Sequence, residues 1–349
     1  LKDRIVSVIN KSLPEQQAGL LNGMLIGNRE GLYKEVQQVF SDSGLSHIMA
    51  VSGANVAFIV FPLLFMLRKL HLKRHIANIT AIFVLVVFVF ITGFEPSVLR
   101  AVIMAIVILT GQILRRENDV LTSISFAALV MLLYNPYNLF NIGFQLSFAA
   151  TISLVLFNKN IKNLLSTRFI PKGITDVLSV TLAAQIGVLP ITVYYFNKFS
   201  LVSIISNLLV APVIEAITVL GFVMAIIGQV SIVFSRLIGY VNCTLLSFVL
   251  FISKITANLP FAVVRTITPH IIMIVFYYLA IWFFFWYKPV RNIKIKVTHY
   301  VLGLVVLSAI FCVPVLVPKG LEVVFIDVGQ GDSIFVRTCT GKTVLIDGG

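Results

Sequence analysis

The sequence predicts an all-α polytopic membrane bundle of about ten transmembrane helices, followed by a short β segment that opens a second domain. Three observations carry this reading. Of 349 residues 58% are hydrophobic and 12% charged, with 28 Phe, and the mean hydropathy is +1.00, whereas soluble domains carry roughly a quarter charged residues. The apolar runs recur at lengths near the ~20 residues a helix needs to cross a bilayer. Within the loops between the expected spans, basic residues fall almost entirely in alternate loops.

Residues 1–46 are mixed and moderately apolar, with Gly19, Gly23, Gly27 and Gly31 interrupting any long hydrophobic period, and predict amphipathic or interfacial helices. The transmembrane domain then occupies 47–317, with spans expected at 48–67, 76–92, 98–114, 120–134, 143–157, 177–196, 200–228, 236–257, 270–287 and 299–317. Two places depart from plain lipid-facing helix. The run 200–228 holds Asn207, Pro212 and Glu215, is long for one upright span, and is expected to break at the proline. Residues 41–56, SDSGLSHIMAVSGANV, bring small and polar groups to the mouth of the first span, and irregular backbone at that depth survives where it lines protein or water. After Pro318 the pattern turns to period two, so LEVVFIDV, DSIFVRT and KTVLID read as three short strands within 321–349.

Charge placement gives a topology. One alternating set of loops holds Arg68, Lys69, Lys73, Arg74, Arg115, Arg116, Lys159, Lys162, Arg168, Lys172, Lys288, Arg291, Lys294 and Lys296, while the opposite set holds Lys198 and Arg265. The richer set is therefore cytoplasmic. Ten spans then leave both termini extracytoplasmic. The same asymmetry accounts for most of the formal net charge of +13, as basic loops meeting lipid headgroups rather than a nucleic-acid surface. Cys243, Cys312 and Cys339 lack paired spacing and indicate neither a disulfide framework nor a thiolate metal site. The chain opens at Leu1 and stops at Gly349 inside a motif, so it reads as a fragment without a cleavable signal peptide.

A charge at mid-helix costs roughly 2.5 to 3.5 kcal/mol on insertion scales, which makes each polar group in a span a functional candidate. The conduit or gate candidates are His47, Ser52, Asn55, Arg100, Gln145, Gln185, Asn207 and Glu215. Each has a plainer alternative. Gln145, Gln185 and Asn207 could tie helices together, His47 could be interfacial, and Glu95 could pair with Arg100 across the start of the third span. Glu215 needs a cation, a proton or a partner such as Arg100. No nucleotide-binding loop, HExxH or GxSxG occurs, so the membrane part shows no catalytic constellation.

The segments GLLNGMLIGNREGLYKEVQQVFSDSGLSHIMAVSGANVAF, EPSVLRA, NPYNLFNIGFQLSFAAT and AAQIGVLPITVYYFNKFSLVSIISNLLVAPVIE follow one another in the order and spacing of the competence domain of ComEC-type proteins, which this chain resembles over 15–317. Where many relatives carry His this chain has Asn55, so an imidazole role is not carried over there. The tail resembles the opening strands of the αββα metallo-β-lactamase-like domain that follows in the same family, truncated before its HxHxDH metal motif. On that resemblance Asp327, Gln330, Asp332 and Asp347 match the lead-in pattern and orient loops or groups behind the metal ligands, the alternative being turn-forming acids at strand ends.

The resemblance implies a bacterial inner-membrane channel that passes single-stranded transforming DNA. It implies a DNA receptor outside, a helicase-like ATPase inside and a homodimer as partners beside the bilayer. It also implies a divalent metal, zinc or manganese, in the full-length C-terminal domain, with none and no nuclease activity in this chain. Two rivals stay open on the residues alone: a secondary transporter using the 200–228 run, against which no internal repeat is visible, and a membrane anchor for an extracytoplasmic hydrolase.

Overall fold

The computed structural model describes residues 2–28, 30–117, 119–166, 171–286, 320–328, 331, 333–338 and 342–347. These fall into two compact units divided after Arg265. In the first, α1 (Lys2–Ser12), α2 (Glu15–Ile26) and α3 (Lys34–Asp42) precede a 3₁₀ turn at Ser46–Met49. There follow α4 (Gly53–Lys69), α5 (Arg74–Thr92), α6 (Pro96–Ile113), α7 (Val120–Tyr134), a 3₁₀ turn at Pro136–Phe140, α8 (Ile142–Leu165) and α9 (Lys172–Phe196). Strand β1 (Lys198–Ser200), α10 (Ser203–Ile227), α11 (Ile232–Ala257) and β2 (Val263–Arg265) complete it. The second unit contains α12 (Ile271–Trp286) and β3 (Glu322–Phe325), β4 (Ile334–Arg337) and β5 (Thr343–Ile346), which form an antiparallel meander in the order β3-β4-β5.

Among the described residues six helices, α5, α6, α8, α9, α10 and α11, are long and apolar enough to cross a membrane. The chain is a multi-pass membrane protein. Its outward faces agree: Phe61 and Phe65 on α4 and Phe83 and Phe90 on α5 are exposed, an aggregation liability in water and ordinary in hydrocarbon. Helices also occupy the other expected spans at α4, α7 and α12, but α4 has 17 residues and α7 has 15. The expected span 299–317 lies outside the described residues.

Two expectations are corrected. The run around Pro212 is not broken: α10 is one 25-residue helix starting at Ser203, about 37 Å long at 1.5 Å per residue. Neighbouring helices hold it through the proline as they hold α4 through Pro62 and α9 through Pro190. The N-terminal segment is not an interfacial layer throughout. α2 is buried from Ala18 to Ile26, because Leu20, Leu21 and Leu25 share a core with Phe40 and with Ile217, Met224 and Leu246 of the α10–α11 hairpin. A second core joins α4, α5 and α6, and a third joins α7 and α8 through Ile124, Met131, Phe144 and Phe148.

α4, α6, α8, α9 and α10 form a closed circuit. α4 packs on α6, α6 on α8, α8 on α9, α9 on α10, and α10 on α4, while pairs across this circuit meet at isolated points at most. Small residues set the approach. A Cβ on Gly187 of α9 would lie 2.0 Å from Ser153 Oγ and 2.7 Å from the Ala149 carbonyl oxygen of α8. Gly44, at φ +77°, closes the end of α3, and a Cβ there would meet Ser203 Cβ at 2.3 Å. At the same end β1 and β2 pair antiparallel, Lys198 opposite Arg265, and Lys198 also bonds Asp42 at 3.0 Å. The loops after α9 and α11 therefore meet at one end of the bundle.

A branched side chain at position 187 should wedge α8 from α9. Gly187→Val is expected to lower stability by about 1–3 kcal/mol, the usual cost of overpacking, read as an earlier unfolding midpoint in detergent than for the wild type.

Candidate functional site

Several of the polar residues singled out in the sequence gather at two joints of the helix circuit. The first is where α2, α4, α6 and α8 meet. Residues Ala50 to Ser52 run extended out of the 3₁₀ turn. Ser52 is the N-cap of α4, its hydroxyl accepting from the Ala54 N–H at 3.2 Å, as serine does at a helix start. Asn55, buried one turn in, donates from Nδ2 to the Met24 carbonyl at 2.6 Å and fastens α4 to the end of α2. Ser97 of α6 donates to the Val51 carbonyl at 2.8 Å and pins the approach to the cap. His47 is exposed on the 3₁₀ turn.

Arg100 occupies the middle of this joint. It projects from α6 and is 8% exposed, yet Glu95 does not pair with it, and among the described residues neither does any other carboxylate. Its Nη1 donates to the Ser147 carbonyl and the Thr151 hydroxyl of α8. The Thr151 hydroxyl itself donates a hydrogen bond to the same Ser147 carbonyl at 2.9 Å. The guanidinium carbon stands 5.9 Å from the Phe148 ring centre, within reach of a cation–π attraction. On the far side Nη2 lies against Gly53: a Cβ at that position would come within 2.7 Å of it. Arg100 Nε and Ser147 Oγ are buried without partners, and such orphaned donors call for explanation.

The second joint is between α9 and α10. Gln185 donates to the Ser203 hydroxyl at 2.8 Å, and Ser203 donates onward to the Ser200 carbonyl at 2.9 Å. Asn207 bonds the Ser203 carbonyl one turn back at 2.8 Å. Gln145 is satisfied locally, donating to the Leu139 carbonyl at 2.8 Å. Gln185 thus ties two helices together, whereas Gln145 and Asn207 steady their own helix ends.

Glu215 belongs to neither joint. It is exposed near the middle of α10 and makes no ion pair among the described residues, so of the alternatives open to it the pairing with Arg100 does not form. Gly53, Ser97, Thr151 and Ser203 were not singled out by sequence. Of these Gly53 had a signal, a glycine directly behind a capping serine, where a side chain would gain nothing unless the space were needed.

In the second unit Asp327 follows β3, and the Asp347 carbonyl accepts from the Ser333 hydroxyl at 2.9 Å. Gln330 and Asp332 lie outside the described residues. Among the described residues no group of three or more His, Cys, Asp or Glu could hold a metal ion, so no chemical step is derived through one.

Comparison with known proteins then bears on this arrangement. A family model described as competence protein matches residues 24–291. The chain is 31% identical over 354 residues to ComE operon protein 3 of Bacillus subtilis (strain 168), across 100% of this chain and 44% of that protein. It is 21% identical over 210 residues to Recombination protein 2 of Haemophilus influenzae, across 56% of this chain and 26% of that protein. It is also 23% identical over 229 residues to the uncharacterized protein YcaI of Escherichia coli, across 60% of this chain and 29% of that protein. The chain thus spans less than half the length of these relatives, and no solved structure matches.

The Asn55 anchor is testable apart from any function. Asn55→Ala leaves the Met24 carbonyl buried and unpaired and is expected to cost about 1–3 kcal/mol. Asn55→Asp, which turns an acceptor toward that carbonyl, is expected to cost at least as much, both read by thermal unfolding of the purified protein.

Proposed function

The chain belongs to the ComEC-type competence protein family, and on that premise we propose that it is the inner-membrane conduit for single-stranded DNA in natural transformation. The observation that carries this reading is the circuit of α4, α6, α8, α9 and α10, closed by neighbour contacts and crossed by no extensive packing. Pairs across the circuit meet at isolated points at most, which is what a path along the common axis requires of its walls. The polar joints at Arg100 and at Gln185 lie on the circuit itself, and Glu215 and Asn207 belong to one of its helices. A strand of DNA needs a hydrated path with dispersed donors, some positive potential and surfaces tolerant of any base.

The fuller picture follows from the same premise. Ten spans, counting 299–317, place the basic loops in the cytoplasm and both ends of this chain outside. The β3–β5 meander then opens the metallo-β-lactamase-like domain on the side where DNA arrives. In the full-length protein that domain would hold the divalent metal and degrade the strand that is not imported. A receptor outside, a helicase-like ATPase inside and a second copy of the chain are the partners such a path requires.

The test is entry of fluorescent DNA into the cytoplasm of cells lacking the gene, restored with wild type, Glu215→Ala or Arg100→Ala at equal expression. Deletion is expected to abolish entry while DNA still binds outside, and each substitution to reduce it severalfold. Undiminished entry in the deletion strain would remove the channel reading and leave small-solute transport as its replacement.

A further inference from the structure

We propose that Arg100 and the N-terminus of α4 form a binding site for a single phosphodiester anion. Arg100 is more than nine-tenths buried, and its Nη1 is held by Ser147 and Thr151 of α8. The rest of the guanidinium is turned toward α4. Nε has no partner, and Nη2 lies so close over Gly53 that a Cβ there would stand 2.7 Å away. Gly53 is the first residue of a 17-residue helix, where a backbone N–H has no intrahelical acceptor. The Ser52 hydroxyl serves the Ala54 N–H and leaves that of Gly53 open. The guanidinium edge and a helix N-terminus thus converge, with the Ser97 carbonyl oxygen beside them, 3.5 Å from where a Gly53 Cβ would be, and no carboxylate among the described residues.

What is missing is an anion. A buried cation without a counter-charge is costly, while an anion at a helix N-terminus is favoured by both the free N–H groups and the helix dipole. A phosphodiester fits on three counts. It carries one charge, as the guanidinium does. Its two non-bridging oxygens match the fork of Nε and Nη2, with the Gly53 N–H as a further donor. It can approach from the α4 side, where Ala54 is exposed and Ser52 and Gly53 are partly so. Gly53 is then required by the ligand as much as by packing, since any side chain would push the guanidinium off the helix end.

Two sources supply this chemistry, a nucleic-acid strand and a phospholipid headgroup, and the choice of DNA rests on the conduit reading. The experiment uses the full-length protein in nanodiscs, as wild type, Arg100→Gln, Arg100→Lys and Gly53→Ala. Binding of a single-stranded oligonucleotide is titrated across salt concentrations, and phosphatidylglycerol retained through purification is measured in parallel. With DNA as the ligand, Arg100→Gln weakens the oligonucleotide about tenfold and lowers the slope of log affinity against log salt by about 0.7, the share of one phosphate. Arg100→Lys recovers part of the loss, and a methylphosphonate oligonucleotide no longer distinguishes wild type from variant.

Gly53→Ala keeps the charge and adds one methyl group, yet it is expected to weaken binding in the same direction, and it decides the matter should Arg100→Gln fail to fold. Loss of retained phosphatidylglycerol in place of oligonucleotide affinity upholds the site with a lipid headgroup as its source. Unchanged values for both ligands in a folded variant overturn it. DNA entry in cells reads the conduit separately: variants that lose oligonucleotide affinity but import DNA at the wild-type rate leave the site standing and take it off the import path, while undiminished entry in the deletion strain removes the conduit.

Discussion

A guanidinium held inside the bundle with no carboxylate among the described residues beside it constrains every element around it. Desolvating such a charge costs several kcal/mol, so the surrounding helices are shaped to offset that cost. α8 turns a carbonyl, a hydroxyl and an aromatic face toward Arg100, and α4 presents a glycine where a larger residue would collide. The start of α4 must in turn be fixed against this cation. Ser97 pins the preceding strand of backbone, and Asn55 fastens the first turn to α2. α2 can serve as an anchor because it is itself packed into the α10–α11 hairpin.

The remaining contacts follow the rules of a bilayer rather than of water. Lipid is as apolar as leucine, so helices there are joined by close approach and by polar contacts instead of hydrophobic expulsion. Gly187 against Ser153 is the close approach between α8 and α9. Gln185 to Ser203, and Asn78 of α5 to the Leu109 carbonyl of α6 at 3.3 Å, are the polar contacts. The large aromatic residues left over, such as Phe61, Phe65, Phe83 and Phe90, stay on the outside.

Much of this was legible in the sequence, and the limits have physical causes. Apolar runs located the helices of the bundle because hydropathy depends on composition within a short window. The strands after residue 321 were legible from alternation for the same reason. Pro212 misled, since a proline breaks a helix in isolation while neighbours can hold it straight. α2 misled as well: its glycines suggested irregularity, but they are what lets the helix sit against Gly31 and Met49 backbone at 2.8 and 2.9 Å from where a Cβ would be. The costly polar residues could be found one by one, but their partners could not. Arg100 and Thr151 are 51 positions apart, and Glu95, five positions away, was the partner that local spacing suggested. Thr151 and Gly53 are too ordinary as residue types to stand out until folding brings them to the cation.

The short ribbon of β1 and β2 has a mechanical consequence. It clasps the chain leaving α9 to the chain leaving α11, and Asp42 binds the same ribbon to α3 through Lys198. α10 and α11 are therefore fettered at that end and lean on α1–α3 along their length, which makes one packed block of these helices. The extensive seam between α8 and α9 makes a second block of that hairpin. The circuit has its thinnest seams elsewhere, between α10 and α4 and between α6 and α8. If the ring widens, it parts at those two seams, and Arg100, which bridges one of them, is the latch that such a movement has to release.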